Sequence, residues 1–514
     1  MKKTVLSLIT VIICAGIYAQ SYEQKGDNYL EQENFSAAAN MYAQCLDSNE
    51  NCVFKLFYLI YLDKIDPVFS DQLFELVKPL AEKGDAEAQG CLSYMYDSGR
   101  GVAQNKTEAA KWFRKAAEAG YAMAQNNLGA KYVTEKNYEE ALKWYRKAAE
   151  AGYGVAQNNL GSMYKNGEGV SKDYTQALYW YRKAAAEGHG ITPGARTFKG
   201  VMVLYKERIQ EEEAKGQVNL GAMYLNGYGV EKDYTEALRW YRKAAEQEYA
   251  DAQFCIGDMY RFGLIEGGRG FKDAAIWFKK ASDNGHSEAT WLLGNFYYNG
   301  AGVNKDYSEA VRLYRKAAEK GHSGALNSLG VCYLNGNGVE KNYDEALRYY
   351  RKAAEKGNNL AQNNVGNMYY KGNGVTQDYE EAVKWFLKAA EQEHSDALFR
   401  LGYMYFNGQG VKQDFEEALK WYKKAAGAGN ISAMNNIGWA YQNGNGVEKD
   451  YDEAMRWYLK GAEKGDHYAM NNIGNMYKDG LGVNKNKNEA IKWYERAAAK
   501  GNEYAKKSLE DLKK

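Results

Sequence analysis

The chain reads as an all-α protein, an α-solenoid of stacked helix pairs, and three observations predict it. Gly120, Gly152, Gly188, Gly285, Gly321, Gly357, Gly429, Gly465 and Gly501 recur, mostly at intervals of 36 residues. Each interval holds two stretches with apolar residues at helical spacing. The 514 residues include 53 glycines and only 3 prolines, so glycine and not proline interrupts the helices. Glu248 and Glu393 stand where the glycine is missing, which makes eleven repeats between Asp85 and Gly501. A unit of this length cannot bury its own apolar face and must stack on its neighbours.

The unit His286 to Gly321 shows how the residues specify it. Ala289, Leu293 and Tyr297 recur every fourth residue, and Ala310, Leu313, Tyr314, Ala317 and Ala318 follow the spacing of one buried helix face. Gly300-Ala301-Gly302-Val303 lies between these two helices, with Gly300 placed to take the left-handed conformation that ends the first. Asp306 opens the second, with Glu309 three residues later at capping-box spacing. Asp or Asn fills the cap in ten repeats (Asn105, Asn137, Asp173, Asp233, Asp306, Asn342, Asp378, Asp414, Asp450 and Asn486), with Phe271 the exception. Gly294 sits inside the first helix, matched by Gly129, Gly161, Gly221, Gly330, Gly366, Gly402, Gly438 and Gly474. A mid-helix glycine costs about 1 kcal/mol against alanine, so its recurrence predicts a close approach by a neighbouring helix.

The succession of Ala, Leu-Gly, Tyr, GxGV, Asp-Tyr, Ala-Leu, Trp-Tyr and Lys-Ala-Ala, seen from Ala156 to Glu187, resembles the Sel-one-like repeat family, relatives of the tetratricopeptide repeats. The resemblance covers about four-fifths of the chain. It implies a right-handed superhelix of antiparallel helix pairs that scaffolds protein complexes, and, for bacterial members, export with roles in envelope regulation, secretion or host contact.

Residues 1–19 read as a signal peptide: Lys2 and Lys3 precede the apolar run Val5 to Ile17, and Ile17-Tyr18-Ala19 before Gln20 is an acceptable cleavage site. Export to the periplasm or secretion is therefore expected. The apolar run is shorter than the ~20 residues of a membrane span, and no later stretch approaches that length. Cys14 raises lipid attachment, but Ile13 is a poor residue to precede it. Residues 20–84 resemble tetratricopeptide-like hairpins that cap the stack, followed by repeats 1–3 at 85–188. Residues 189–212 form an insertion that contains Pro193, and a helix-like run from Phe198 to Lys215 begins within it; the insertion is expected to separate a short block of repeats from a long one. Repeats 4–11 fill 213–501, and 502–514 resemble a polar capping helix. The second repeat lacks the GxGV loop, and the fifth has an altered one, Gly263 to Gly270.

Lys plus Arg total 67 against 66 for Asp plus Glu, which removes any charge argument for nucleic acid. Of the five cysteines after the signal, Cys45 and Cys52 flank a helix-to-helix turn and are the best candidates for a disulfide, with Cys91 a competing partner. Cys255 and Cys332, two repeats apart, read as small core residues. His189, His286, His322 and His394 each follow a repeat end. Repeats advance by about 8–10 Å, too far for one coordination sphere, so neither a metal nor a cofactor is expected.

Some secreted relatives are described as β-lactamase-like, and Ser162-Met163-Tyr164-Lys165 and Ser282-Asp283-Asn284 match the SxxK and SDN patterns. Both dissolve on repeat alignment. Ser162 fills the place of Ala222, Asn367 and Asn475, and the triplet fills that of Ala318, Glu319 and Lys320. No KTG follows, so no catalytic residue is assigned. The GxGV loops lack the Lys-Ser/Thr and preceding strand of a phosphate loop and read as helix connectors.

Nine tryptophans, from Trp112 to Trp493, share one second-helix position and read as core. Trp291, Phe399, Tyr403 and Trp439 instead interrupt the first helices, which line the inner surface in related superhelices; aromatic residues dominate interface energetics, so these are candidate partner anchors. Asparagine pairs lie on the same helices: Asn126 and Asn127, Asn158 and Asn159, Asn363 and Asn364, Asn435 and Asn436, Asn471 and Asn472. An amide donates and accepts together, so such a ladder suits an extended peptide backbone, with bonding between neighbouring helices as its alternative. The expected function is an exported scaffold or adaptor that binds proteins or extended peptides on its concave face. The rivals are a β-lactamase-like envelope hydrolase and a surface or secreted host-contact protein.

Overall fold

A computed structural model describes residues 20–513 apart from 21, 31, 47–49, 62–63, 65–67, 188–198, 266 and 268–269. Residues 1–19, read above as a signal peptide, His189 and Pro193 therefore lie outside the described residues, as do the side chains of 199–209. The chain forms two compact units, Met1–His286 and Ser287–Lys514, and every described element in both is helical.

The first unit opens with helices over 22–30, Phe35–Ala43, Glu50–Tyr61 and Ser70–Glu82, then carries the first five repeats. Cys45 and Cys52 are disulfide-bonded, with Cα atoms 6.1 Å apart, and Cys91 is free and buried. The insertion does not interrupt the stacking. Its helix runs on without a break into the first helix of the fourth repeat as one 28-residue helix, Lys199–Asn226. Leu220 and Met223 share a core with Ala177, Tyr181 and Ala185 of the third repeat, and the rings of Tyr174 and Tyr228 stack at 4.8 Å. The division into units falls instead after the fifth repeat. The second unit holds six repeats, from Ser287–Asn299 with Tyr307–Glu319 to His467–Asp479 with Lys487–Ala499, and ends on the helix Glu503–Lys513.

One repeat explains the rest. Asp306 caps the second helix by accepting from the Ser308 and Glu309 amides at 2.9 and 3.0 Å. The capping box is only half used, because the Asp306 amide already donates to the Tyr297 carbonyl at 2.9 Å and Glu309 turns forward to Arg312 at 2.6 Å. In the fifth repeat the cap is Gly270, one place before the position read from sequence, and Phe271 is the first helical residue. The mid-helix glycines are close-approach sites, as expected. A Cβ built on Gly294 would lie 2.6 Å from the ring of Tyr314, and Gly257 meets Phe278 in the same way. That ring is buried in ten repeats, whereas the tryptophan that often precedes it varies: Trp144 and Trp180 are buried in the core, but beside the buried Phe386 and Tyr458 the rings of Trp385 and Trp457 are half-buried, with lysine ammoniums 4.0 and 4.1 Å from their centroids.

Glu248 and Glu393, which replace the repeat-end glycine, are held at φ 60° and 57°. A side chain in this region costs about 1–2 kcal/mol, so Glu393→Gly is expected to stabilise the second unit by about 1 kcal/mol, read as a raised thermal midpoint. An unchanged or lowered midpoint would contradict the strain.

Candidate functional site

Three positions on each first helix decide what that face does: the two residues before the leucine of the Leu-Gly step, and the residue two after it. The first two are the asparagine positions. Across junctions the second asparagine of one repeat donates to the first of the repeat before: Asn159 to Asn126 at 3.0 Å, Asn364 to Asn327 at 3.0 Å, Asn472 to Asn435 at 2.9 Å, and Asn219 to Asn158 at 3.4 Å. The ladder thus consists of amide bridges between neighbouring first helices. Its members differ in access: Asn363 and Asn471 are buried, Asn159, Asn364, Asn435, Asn436 and Asn472 half-buried, and Asn127 exposed. The buried Oδ1 atoms of Asn363 and Asn471 accept no hydrogen bond from the chain.

Aromatic residues modify this pattern. Trp291 takes the first asparagine position in its repeat and restores the bridge with its indole, donating to Ser328 Oγ at 3.0 Å; its ring lies 5.2 Å from that of His322. Phe399 takes the same position and cannot bridge. Its ring packs 5.7 Å from Tyr422, and Asn436 accepts from its neighbour Asn435 at 3.4 Å.

In three repeats the third position ties down a tyrosine hydroxyl: Ser162 with Tyr181 at 3.0 Å, Asn295 with Tyr314 at 2.7 Å and Asn475 with Tyr494 at 2.7 Å. Tyr403 and Trp439 fill it with rings that are 36% and 40% exposed. They line a cleft of about 260 Å³ with Phe406, Asn407, Tyr422, Asn435 and Asn436. Trp439 meets Phe406 edge-on at 5.4 Å. Burial pushes the Tyr422 hydroxyl well above its usual range, and no carboxylate, amine or imidazole lines the cleft. The arrangement is an uncharged aromatic slot with amides along one wall.

Of the four aromatic candidates, therefore, two meet at this cleft with one asparagine pair; Phe399 stands behind it, and Trp291 is a bridge in the sixth repeat. Sequence reasoning missed Phe406 and Asn407, although the aromatic run Tyr403, Tyr405, Phe406 was a signal. Elsewhere, the motif residues are structural. Ser162 bonds Tyr181, and Ser282 is buried on a different helix, Phe271–Asp283. His322 and His394 are helix caps, accepting from the Ala325 and Ala397 amides through Nδ1 at 3.0 and 3.3 Å.

The His394 cap implies a pH dependence. Burial lowers its pKa in the folded chain, against an opposing pull from Asp396. The unfolded chain therefore binds the proton more readily, so this stabilisation is complete above the unfolded value of about 6.5 and is lost as pH falls through the folded pKa. His394→Asn, which installs the cap that Asn358 and Asn430 supply in adjacent repeats, is expected to shrink the fall in thermal midpoint between pH 7.5 and 5.5. An equal fall in both proteins would exclude the cap as its source.

Comparison with known proteins places this geometry. The Sel1 repeat model matches eleven times, tiling residues 86–189 and 214–502. The chain belongs to the Sel1 repeat family. A tetratricopeptide repeat model matches residues 19–52, in keeping with the hairpins that precede the Sel1 repeats. Among solved structures the chain is 34% identical to c5321, a protective antigen of uropathogenic Escherichia coli with this fold, over 86% of this chain and 90% of that one, with a TM-score of 0.58. A Sel1 repeat protein from Oxalobacter formigenes is 30% identical over 61% of this chain and 92% of its own, with a TM-score of 0.49. A sel1-like repeat-containing protein, L21, of Acanthamoeba polyphaga mimivirus is 32% identical over 111 residues, and that match spans about a fifth of each protein. Sel1 repeat proteins are in general protein-interaction scaffolds, and the fold is typically non-enzymatic. No helix among the described residues is long and apolar enough to cross a membrane.

Proposed function

We propose that this Sel1 repeat protein is an exported adaptor that docks a partner polypeptide on the inner, first-helix face of its second unit, with the Tyr403 and Trp439 cleft as the anchor. The carrying observation is the coincidence at one junction of two exposed rings, a missing amide bridge and a flanking asparagine pair. Exposed rings beside amide groups suit a hydrophobic side chain together with the peptide group that carries it. The partner is a protein or an extended peptide, and export rests on the signal-like residues 1–19.

The test is crosslinked affinity capture from the native envelope with the wild-type chain and with Tyr403→Ala/Trp439→Ala, followed by titration of the partner recovered. Loss of two anchoring rings is expected to weaken that partner by 10-fold or more, since anchors of this kind each carry about 2 kcal/mol. Equal affinity would remove the cleft from the interface. Export is tested by the N-terminus of the mature chain, expected near Gln20. A second reading, display at the surface with host contact, is favoured by the description of c5321 as a protective antigen; protease shaving of intact cells would separate it from a periplasmic role.

A further inference from the structure

The first repeat departs from its fellows at several positions, and the departures meet in one place. Ser93 stands where ten repeats have the mid-helix glycine, and Gly90 stands at the first asparagine position. Tyr94 fills the third position, which is aromatic elsewhere only at Tyr403 and Trp439. Lys106 replaces the tyrosine or phenylalanine that opens most second helices. All four line a cleft of about 340 Å³, together with Tyr61, Asp97, Phe113, Tyr121 and Asn127.

The cleft has a physical cause. In the other ten repeats the absent Cβ of glycine admits the second-helix ring, because a Cβ there would fall 2.5–2.7 Å from it. Ser93 puts a real Cβ at that point and fixes its hydroxyl on the Ala109 carbonyl at 2.9 Å. The matching ring, Phe113, is accordingly half-buried, whereas its ten counterparts are buried. Gly90 has no side chain with which to form the amide bridge, and the Tyr121 ring takes its place, 2.6 Å from where a Cβ would be. Asn127, left without that bridge, is exposed and accepts only from Asn126 at 3.3 Å. The second repeat also lacks the GxGV loop, whose second glycine elsewhere seats on the preceding second helix, as Gly338 does on Tyr307. Lys106 is therefore exposed at the mouth, paired with Asp97 at 2.9 Å.

We propose that this cleft is a second docking site, which takes an aromatic side chain of an extended partner segment. The inference rests on the peptide-docking reading and extends it to the first unit. Tyr61 and Tyr94 meet edge to face at 4.9 Å, and a further ring adds to such a cluster in the same geometry. Asp97 and Lys106 neutralise each other, so the mouth selects no charge. The Asn127 amide beside the opening can donate and accept at once, which matches a peptide group and makes the occupant a residue within a chain. The same three features, an aromatic third position, a missing bridge and an asparagine on the next helix, define the Tyr403 and Trp439 cleft.

The test uses the full-length purified chain and two probes, the peptide acetyl-Gly-Ser-Trp-Ser-Gly-amide and its Trp→Ala counterpart, read by saturation-transfer difference NMR. Tyr403→Ala/Trp439→Ala serves as the background that silences the second-unit cleft. In that background the Trp peptide is expected to show saturation at its indole protons, at least 5-fold above the Ala peptide. Adding Ala110→Trp, which fills the cleft from an exposed position, or Tyr94→Ala is expected to abolish it. If the background substitutions alone abolish the signal, the first-unit site is overturned while peptide docking stands. If they leave the wild-type signal whole, and Ala110→Trp removes it, this site stands and the anchor assigned to the second unit fails. A signal unchanged by Ala110→Trp and Tyr94→Ala overturns the site, and so does its absence from the wild-type chain. N-acetyltryptophanamide binding as well as the peptide would show a small-molecule site and overturn the chain-residue occupant.

Discussion

Replacing Gly410 by alanine is expected to lower the stability of the second unit by about 3 kcal/mol, the sum of a left-handed backbone cost of ~1–2 and a comparable overpacking cost. Gly410 is the second glycine of its GxGV loop, at φ 67°. A Cβ there would lie 2.3 and 2.4 Å from the carbonyl carbon and oxygen of Tyr379, which opens the second helix of the preceding repeat. Backbone cannot turn aside as a flexible side chain can, so the two repeats must separate. Gly408, seven residues after Leu401 of the same first helix, is the control. It shares the left-handed conformation, but its Cβ would meet only Gln413 Cβ at 3.2 Å, so Gly408→Ala should cost about 1 kcal/mol. Because stability in a stacked array is a sum over neighbouring interfaces, the damage should be local. Hydrogen exchange is expected to quicken around Tyr379 and Gly410 before it does in the sixth and seventh repeats. Equal losses for the two variants would show that conformation, not the close approach, sets the cost.

The repeat glycines also show why the fold was legible in the sequence. A glycine that recurs inside a helix has to answer to something, and the spacing of Gly294 and its matches announced a close approach before the Tyr314 ring was located. Caps, helix ends and the repeat count were legible for the same reason, since each is a local rule stated many times over. Single departures were harder. Phe271 was assigned the cap because the altered loop Gly263 to Gly270 shifts the register by one residue, and no second copy of that loop exists to fix it. The tryptophans were read as core from their recurrence, but recurrence marks only a repeated environment. Trp144 and Trp180 are indeed buried, but the other seven sit half-buried at the edge of the core, and all nine lie under a lysine or arginine three residues on.

The site was half legible for a related reason. Tyr403 and Trp439 stood out as rings on helices that otherwise carry small or polar residues, and they do share a cleft. Trp291 stood out equally, yet its indole nitrogen bonds Ser328. What separates the two outcomes is the residue each faces on the next helix, which a repeat alignment shows only once the bridging pairs are known. The cleft at Tyr94 was invisible for the opposite reason. Its origin is Ser93, a small polar residue in place of a glycine, and the consequence appears on another helix as a ring that fails to seat.

That cleft also depends on the N-terminal hairpins, and the dependence leads to Lys55. Its ammonium is buried, 2.8 Å from Glu23 and 2.7 Å from Asp27, and Asp27 also accepts from the Tyr42 hydroxyl at 2.8 Å. The ammonium is thus the charge that holds the helix 22–30 against the helix Glu50–Tyr61. Removing one partner of a buried pair costs about 3–5 kcal/mol, because the charge left behind has lost its compensation. Lys55→Met is expected to destabilise the hairpins by about 3 kcal/mol, somewhat below the middle of that range because both carboxylates keep partial access to water. Proteolysis and hydrogen exchange should then reach residues 22–30 first. The triple variant Lys55→Met/Glu23→Gln/Asp27→Asn should recover most of the loss, since neutral amides need no counter-charge; if it does not, packing of the lysine stem and not its charge is the source. The helix that carries Lys55 also carries Tyr58, which donates to the buried Glu87 of the first Sel1 repeat at 2.6 Å, and Tyr61, a wall of the Tyr94 cleft. A loosened hairpin should therefore weaken the aromatic peptide at the first unit and leave the second-unit cleft unaffected, whereas equal losses at both would mean that the variant had unfolded more than the cap.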